Sequence, residues 1–216
     1  MYRGVSRGVS RGVSRGVSRG VSRGAEDIEA VDVEEAFKLP DIIAPFAPQG
    51  PGFTANAQPT LYWYLSADWP EYMEFTLNEA GKIDPVLELE IWPEEGTDLH
   101  AAGIHSINLA DYDVTLEPGK EYEWFVVIVL DPEQRSGDLL SSGIIRLTEP
   151  PAELPEELSD EQAYIIYAKH GLWYDAIHSL SSQIKKNPDN KTLRLHRASL
   201  SEQARMQKVA AYDRSS

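Results

Sequence analysis

The chain has 216 residues, 42% of them hydrophobic and 25% charged, with a net charge of −15 and no cysteine. These are the proportions of a folded globular protein, and the lack of cysteine excludes a disulfide framework, a thiolate metal site and a cysteine nucleophile together. No apolar run approaches the roughly 20 residues of a membrane-spanning helix.

The first 24 residues repeat Arg-Gly-Val-Ser, five copies from Arg3 to Ser22. A period of four fits neither a helix nor a strand, and one valine per unit offers too little apolar surface to offset chain entropy. The segment is expected to be disordered. Its six arginines lack the interleaved aromatics of RNA-binding arms; the one aromatic is Tyr2. It also lacks the apolar stretch of a secretory signal. The identity of the copies reads as a short DNA repeat translated in frame, dispensable for folding. An acidic linker, residues 25–38, follows.

Charge is unevenly spread. Residues 25–158 carry 5 basic and 29 acidic side chains, whereas 159–216 carry 9 basic and 6 acidic. The middle segment repels nucleic acid and anionic lipid, so neither is an expected partner.

Residues 39–149 read as short strands separated by proline, glycine and aspartate. The expected strands are Asp41–Phe46, Thr60–Leu65, Met73–Asn78, Val86–Trp92, Ile104–Ala110, Glu121–Asp131 and Gly143–Thr148. Alternation supports them: Leu87, Leu89 and Ile91 share one face and Glu88 and Glu90 the other. Seven strands in this length match an immunoglobulin-like or fibronectin type III-like β-sandwich. "LEPGKEYEW" is the most specific local signal. Pro118 and Gly119 make a turn, and Tyr122 resembles the tyrosine corner of such sandwiches, its phenol bonded to the backbone just upstream. Trp63 is read as core. "LYWYL" and "EYEWFVVIVLD" are apolar on both faces, so each is expected to be covered on both.

A proline-rich linker, residues 150–158, leads to a helical segment, residues 159–205. Ser159 and Gln162 make a capping box. One helix is expected to end near His170 and a second to run from Leu172 to Lys186, with Trp173, Ile177, Leu180 and Ile184 on one stripe. A third begins near Asn190 and frays in a tail, residues 206–216. "YAKHGLWYDAIHSL" resembles one tetratricopeptide unit. The second helix is expected to dock on the outward side chains Phe125, Val127 and Val129.

Phosphate loops, nucleophile elbows and His-Glu-x-x-His are missing from the sequence, so no catalytic residue and no cofactor is assigned. His100 and His105 could share a zinc with Asp98, but no third close ligand has natural spacing; they are read as surface residues, and no metal is expected. The best binding candidate is the loop "LDPEQRSGD". There Asp131, Glu133, Arg135, Ser136 and Asp138 crowd one turn at the end of the sandwich. Asp131 and Asp138 suit calcium; against that, an arginine between acids forms local ion pairs that hold a loop's shape.

The blocks "APFAPQG", "PTLYWYLSA", "MEFTL", "LEPGKEYEWFVVIVLDPEQRSGD", "GIIRL" and "YAKHGLWYDAIHSL", in this order, resemble a bacterial family common in cyanobacteria, domain-of-unknown-function family 928. The resemblance covers about residues 43–203. It implies a periplasmic or envelope setting, because members commonly begin with an export signal; this chain has the repeat there. It supplies no catalytic residues.

The reading that follows is a non-catalytic binding or scaffolding module of the bacterial envelope, with another envelope protein as its partner and its oligomeric state open. The alternatives are a carbohydrate-binding accessory domain, with Trp69, Trp92 or Trp173 as stacking face, or an enzyme of unrecognised type.

Overall fold

A computed structural model describes residues 42–155 and 158–216. The expectations for the repeat and for the acidic linker fall on residues outside these ranges. Eight strands form two sheets: β1 (Ile43–Pro45), β2 (Gly52–Thr54), β3 (Thr60–Leu65), β4 (Met73–Glu79), β5 (Leu87–Ile91), β6 (Gly103–Asn108), β7 (Glu121–Ile128) and β8 (Leu139–Leu147). One sheet has the order β1-β3-β6 and the other β2-β8-β7-β4-β5. All pairings are antiparallel except that of β2 with β8.

The faces that alternate in the sequence meet between the sheets. Leu61, Trp63 and Leu65 of β3 pack with Phe75 and Leu77 of β4, Trp124, Val126 and Ile128 of β7, and Ile145 of β8. Trp63 is therefore core, as its sequence setting implies. Trp124 lies opposite Gly143 in the ladder. A Cβ at Gly143 would meet the indole at 2.8 Å and the Ala47 Cβ at 2.6 Å, so the pairing requires glycine there.

The corner before β7 forms as expected. Glu117 to Lys120 is a tight turn, with the Lys120 N–H donating to the Glu117 carbonyl at 3.4 Å. Gly119 takes φ +77°, and Pro118 before it gives the residue pattern of a type II turn. Tyr122 is buried, and its phenol oxygen accepts the N–H of Glu117 at 3.1 Å.

Several boundaries differ from expectation. The strand expected from Ile104 to Ala110 gives way at Leu109 to a 3₁₀ turn, Leu109–Tyr112, where Asn108 caps the Ala110 N–H. β8 begins at Leu139 because β7 pairs along its whole length, Ile128 lying opposite Leu139. β2 has only three residues and no alternation to mark it; it exists because β8 offers a parallel edge at Ile145 to Leu147.

Four helices follow: α1 (Asp160–Lys169), α2 (Trp173–Lys186), α3 (Lys191–Gln203) and α4 (Gln207–Ser215). Ser159 stands at the N-cap of α1 but makes no side-chain capping bond, so the expected box is not closed. Asn190 does cap α3, its side chain accepting from Thr192 N and Leu193 N. The stretch expected to fray is α4. It is held by burial of Val209 and Ala210 and by Asp213, whose carboxylate takes two N–H groups of buried Arg197 at 2.7 and 2.9 Å.

The helices do not cover Phe125, Val127 and Val129. They pack on the outer face of the three-stranded sheet, where Ala44, Tyr62, Tyr64 and Ile104 cluster with Ile177 of α2, Leu200 of α3 and Val209 of α4. Of the two strands apolar on both faces, "LYWYL" is the one covered. The outer neighbours of β7 explain the choice: Phe125 lies between Thr76 and Ser142, and Val127 between Glu74 and Leu140. That face is half polar, and Leu140 on it is 60% exposed. Val129 lies beyond β7 and is buried. Among the described residues no helix is long and apolar enough to cross a membrane.

Candidate functional site

β6 is an edge of one sheet and β5 an edge of the other. Beside them lies a groove of about 610 Å³, within the roughly 300–1,000 Å³ of small-ligand sites. Its sandwich wall is built from Trp63, Trp92, His100 and His105. The helix wall brings His178, Ser182 and Lys185 from α2, Arg194 and Arg197 from α3, and Tyr212 from α4.

The histidines are organised by the backbone. His100 donates its Nε2–H to the Ile91 carbonyl at 3.1 Å, and His105 donates its own to the Ala101 carbonyl at 2.8 Å. Each keeps Nδ1 as an acceptor. The rings meet edge-on at 5.8 Å, and His105 stacks on Trp63 at 5.9 Å. Burial pushes both imidazole pKa values below their ordinary value, and for His100 the neighbouring His105 adds to the effect. They are neutral hydrogen-bonding groups. His100, read from the sequence as a surface residue, is only 7% exposed, because a two-way backbone bridge ties it to Trp69. Asp98 is exposed and stands apart from the groove. Among the described residues no three ligating side chains converge on a metal position.

Across the junction with the helices, the Tyr62 hydroxyl and His178 Nδ1 are 3.0 Å apart. Burial raises the Tyr62 pKa to about 12, so the phenol keeps its proton. Trp63 is buried with no hydrogen-bond partner for Nε1 among the described residues. Glu94 is the one carboxylate among the described residues lining the groove.

Trp92 stands at the rim, 56% exposed. Tyr72 packs against it with ring centroids 5.0 Å apart, and its indole N–H donates to Glu90 at 3.2 Å. The other candidate stacking residues are committed elsewhere. Trp69 is buried and donates to the Tyr72 carbonyl at 3.1 Å; Trp173 is half-buried and donates to the Phe46 carbonyl at 2.8 Å, tying α2 to the sandwich.

The loop from Asp131 to Asp138 lies outside the groove. Its arginine is the hub. Arg135 reaches both carboxylate oxygens of Glu74, at 2.6 and 3.1 Å, and Asp138 at 2.5 Å. Asp138 also accepts the Leu130 N–H, and Asp131 accepts the N–H of Glu133. Ser136 lies in a short 3₁₀ turn, Arg135–Gly137, and is exposed with Glu133.

Sequence reading missed Tyr62, His178, Lys185 and Arg194 as groove residues. The signal available was the change of charge balance at residue 159, which places cations on the helices and acids on the sheets.

A two-sheet sandwich whose C-terminal helices close one side of a polar groove defines a β-rich domain with a helical appendage. The chain belongs to the family described as Domain of Unknown Function (DUF928), whose model matches residues 14–213. That span extends beyond the blocks that carry the resemblance at both ends. No curated protein matches the chain.

Proposed function

We propose that this protein is a non-catalytic binding module of the bacterial envelope, and that it takes a saccharide in the groove beside β6. The exposed Trp92, packed on Tyr72 at the mouth of the groove, carries the reading. A sugar ring presents an apolar face and a rim of hydroxyls. It needs an amphipathic aromatic surface next to fixed donors and acceptors. His100 and His105 supply acceptors held by the main chain, and Tyr62, His178 and Ser182 supply further polar groups. Hydrolysis of a glycoside generally uses two carboxyl groups; Glu94 is one, which favours binding over cleavage.

The scaffold of this reading is an immunoglobulin-like sandwich. The order β1-β3-β6 resembles strands A, B and E, and β8-β7-β4 resembles G, F and C, with the corner Tyr122 opening the F-like strand. The α1–α2 hairpin, turned at Gly171 with φ +73° and with the small Ala176 fully buried, is the tetratricopeptide-like part. The envelope setting is the one the family resemblance implies, and fractionation of producing cells checks it.

An array of oligosaccharides probed with the wild-type chain and with Trp92→Ala tests the function. Binding that disappears with Trp92→Ala is the expected result. Binding unchanged in the variant moves the site elsewhere, and no binding to any saccharide refutes the reading.

A further inference from the structure

Resting on that reading, we infer that the groove selects an acidic oligosaccharide: one sugar stacks on Trp92 from the sandwich side while a carboxylate of the same chain pairs with Lys185 and Arg194 on the helix side. The argument is one of unmatched charge. The cations of the described sandwich are spoken for: Lys82 and Lys120 pair with Glu79, Arg135 with Glu74, and Arg146 with Glu121. In the groove, Arg197 is likewise neutralised by Asp213. Lys185 and Arg194 differ. Lys185 is exposed and pairs with no carboxylate among the described residues. Arg194 spends its Nε–H on the Pro188 carbonyl at 3.3 Å, which leaves the end of the guanidinium for another acceptor. In a chain with a net charge of −15, two cations left without acids on one groove wall are a selective feature.

The same net charge limits the ligand. A long polyanion would be repelled by the acidic sheets around the groove. A short chain with one or two carboxylates, held by a stacked ring and two cations, meets the groove's own charge without facing that surface.

The probe is digalacturonic acid, which carries two carboxylates, compared with its fully methyl-esterified form, in titrations of the full-length chain followed by calorimetry and tryptophan fluorescence. The ester keeps the rings and removes the charge, so the comparison needs no mutation. Loss of one charge-assisted contact predicts about tenfold weaker binding of the ester. Lys185→Ala should reproduce much of that loss for the acid and none for the ester, with an unchanged melting temperature because its side chain is exposed. Added salt should weaken the acid selectively. Equal binding of acid and ester overturns the inference and leaves the saccharide site standing. Binding of neutral oligosaccharides alone also overturns it. If no saccharide binds, the inference and the saccharide reading fall together.

Discussion

Trp124, in the centre of the sandwich, donates its indole N–H to the phenol of Tyr174 on α2 at 3.1 Å, and the Tyr174 O–H donates in turn to the Ile144 carbonyl at 3.0 Å. A helix residue thus completes the hydrogen bonding of a core residue 50 positions earlier. Both partners are buried. Tyr174→Phe leaves the buried Trp124 N–H unpaired, at a cost of about 1–3 kcal/mol. Thermal unfolding should show a fall of several degrees. An unchanged midpoint would mean that the contact is not made in solution.

The corner makes a comparable demand within the sandwich. Tyr122→Phe removes the acceptor of the Glu117 N–H and should lower stability by about 1–3 kcal/mol. Urea unfolding measures this directly, and because the turn itself remains, the slope of the transition should not change.

These two tyrosines mark what the sequence reveals. Tyr122 was legible because its turn, its strand and its partner lie within a few residues of one another. Strands such as Thr60–Leu65 were legible because alternation is local. Tyr174 was not, since its partners, Trp124 and Ile144, are brought to it only by the packing of α2. The same limit applies to the groove: His100 and His105 are close in sequence, but Trp92, Lys185 and Arg194 converge only through the fold. The covered face was misjudged for a related reason. "LYWYL" and "EYEWFVVIVLD" are equally apolar as strings, and only the register of neighbouring strands places polar Glu74, Thr76 and Ser142 beside β7.

Arg197 and Asp213 set the stability of the C-terminal pair of helices. Both are buried and doubly bonded, and Arg197 also takes Ser181 at 3.0 Å. Arg197→Met leaves a buried carboxylate uncompensated and should cost about 3–5 kcal/mol. The double variant Arg197→Met, Asp213→Leu should recover a large part of that loss. A double variant as unstable as the single one would show that the pair contributes more than mutual neutralisation.

Acid should weaken the fold through His100 and His105. Their folded pKa values lie below the ordinary imidazole value near 6.5, with Glu94 the one charged group that partly opposes the shift. The unfolded chain therefore takes up protons first as the pH falls. The stability contributed by the neutral rings is complete above about pH 6.5 and is lost progressively below it. Chemical denaturation between pH 7.5 and 5 should show the decline. His105→Gln, which keeps a donor but does not titrate, should flatten it; a profile unchanged by the substitution would place the cause elsewhere.

Truncation after Pro155 tests the relation of helices to sandwich. Removing them exposes Ala44, Tyr62, Tyr64 and Ile104 on one sheet face and strands the Trp124 N–H inside the core. A contiguous apolar face of this kind is rarely shown by a soluble monomer. The truncated chain should aggregate or bind a hydrophobic dye. Point variants locate the interface without truncation. Ile177→Ala removes a buried aliphatic group from the covered face and should cost about 2–5 kcal/mol. Val127→Thr, on the face that the helices leave open, should change stability by no more than about 0.5 kcal/mol. If Val127→Thr proves the costlier of the two, the helices cover the other sheet. If the truncated sandwich stays monomeric and equally stable, the helices are a separate module, and a groove that takes Lys185 and Arg194 from one and Trp92 from the other would not persist in solution.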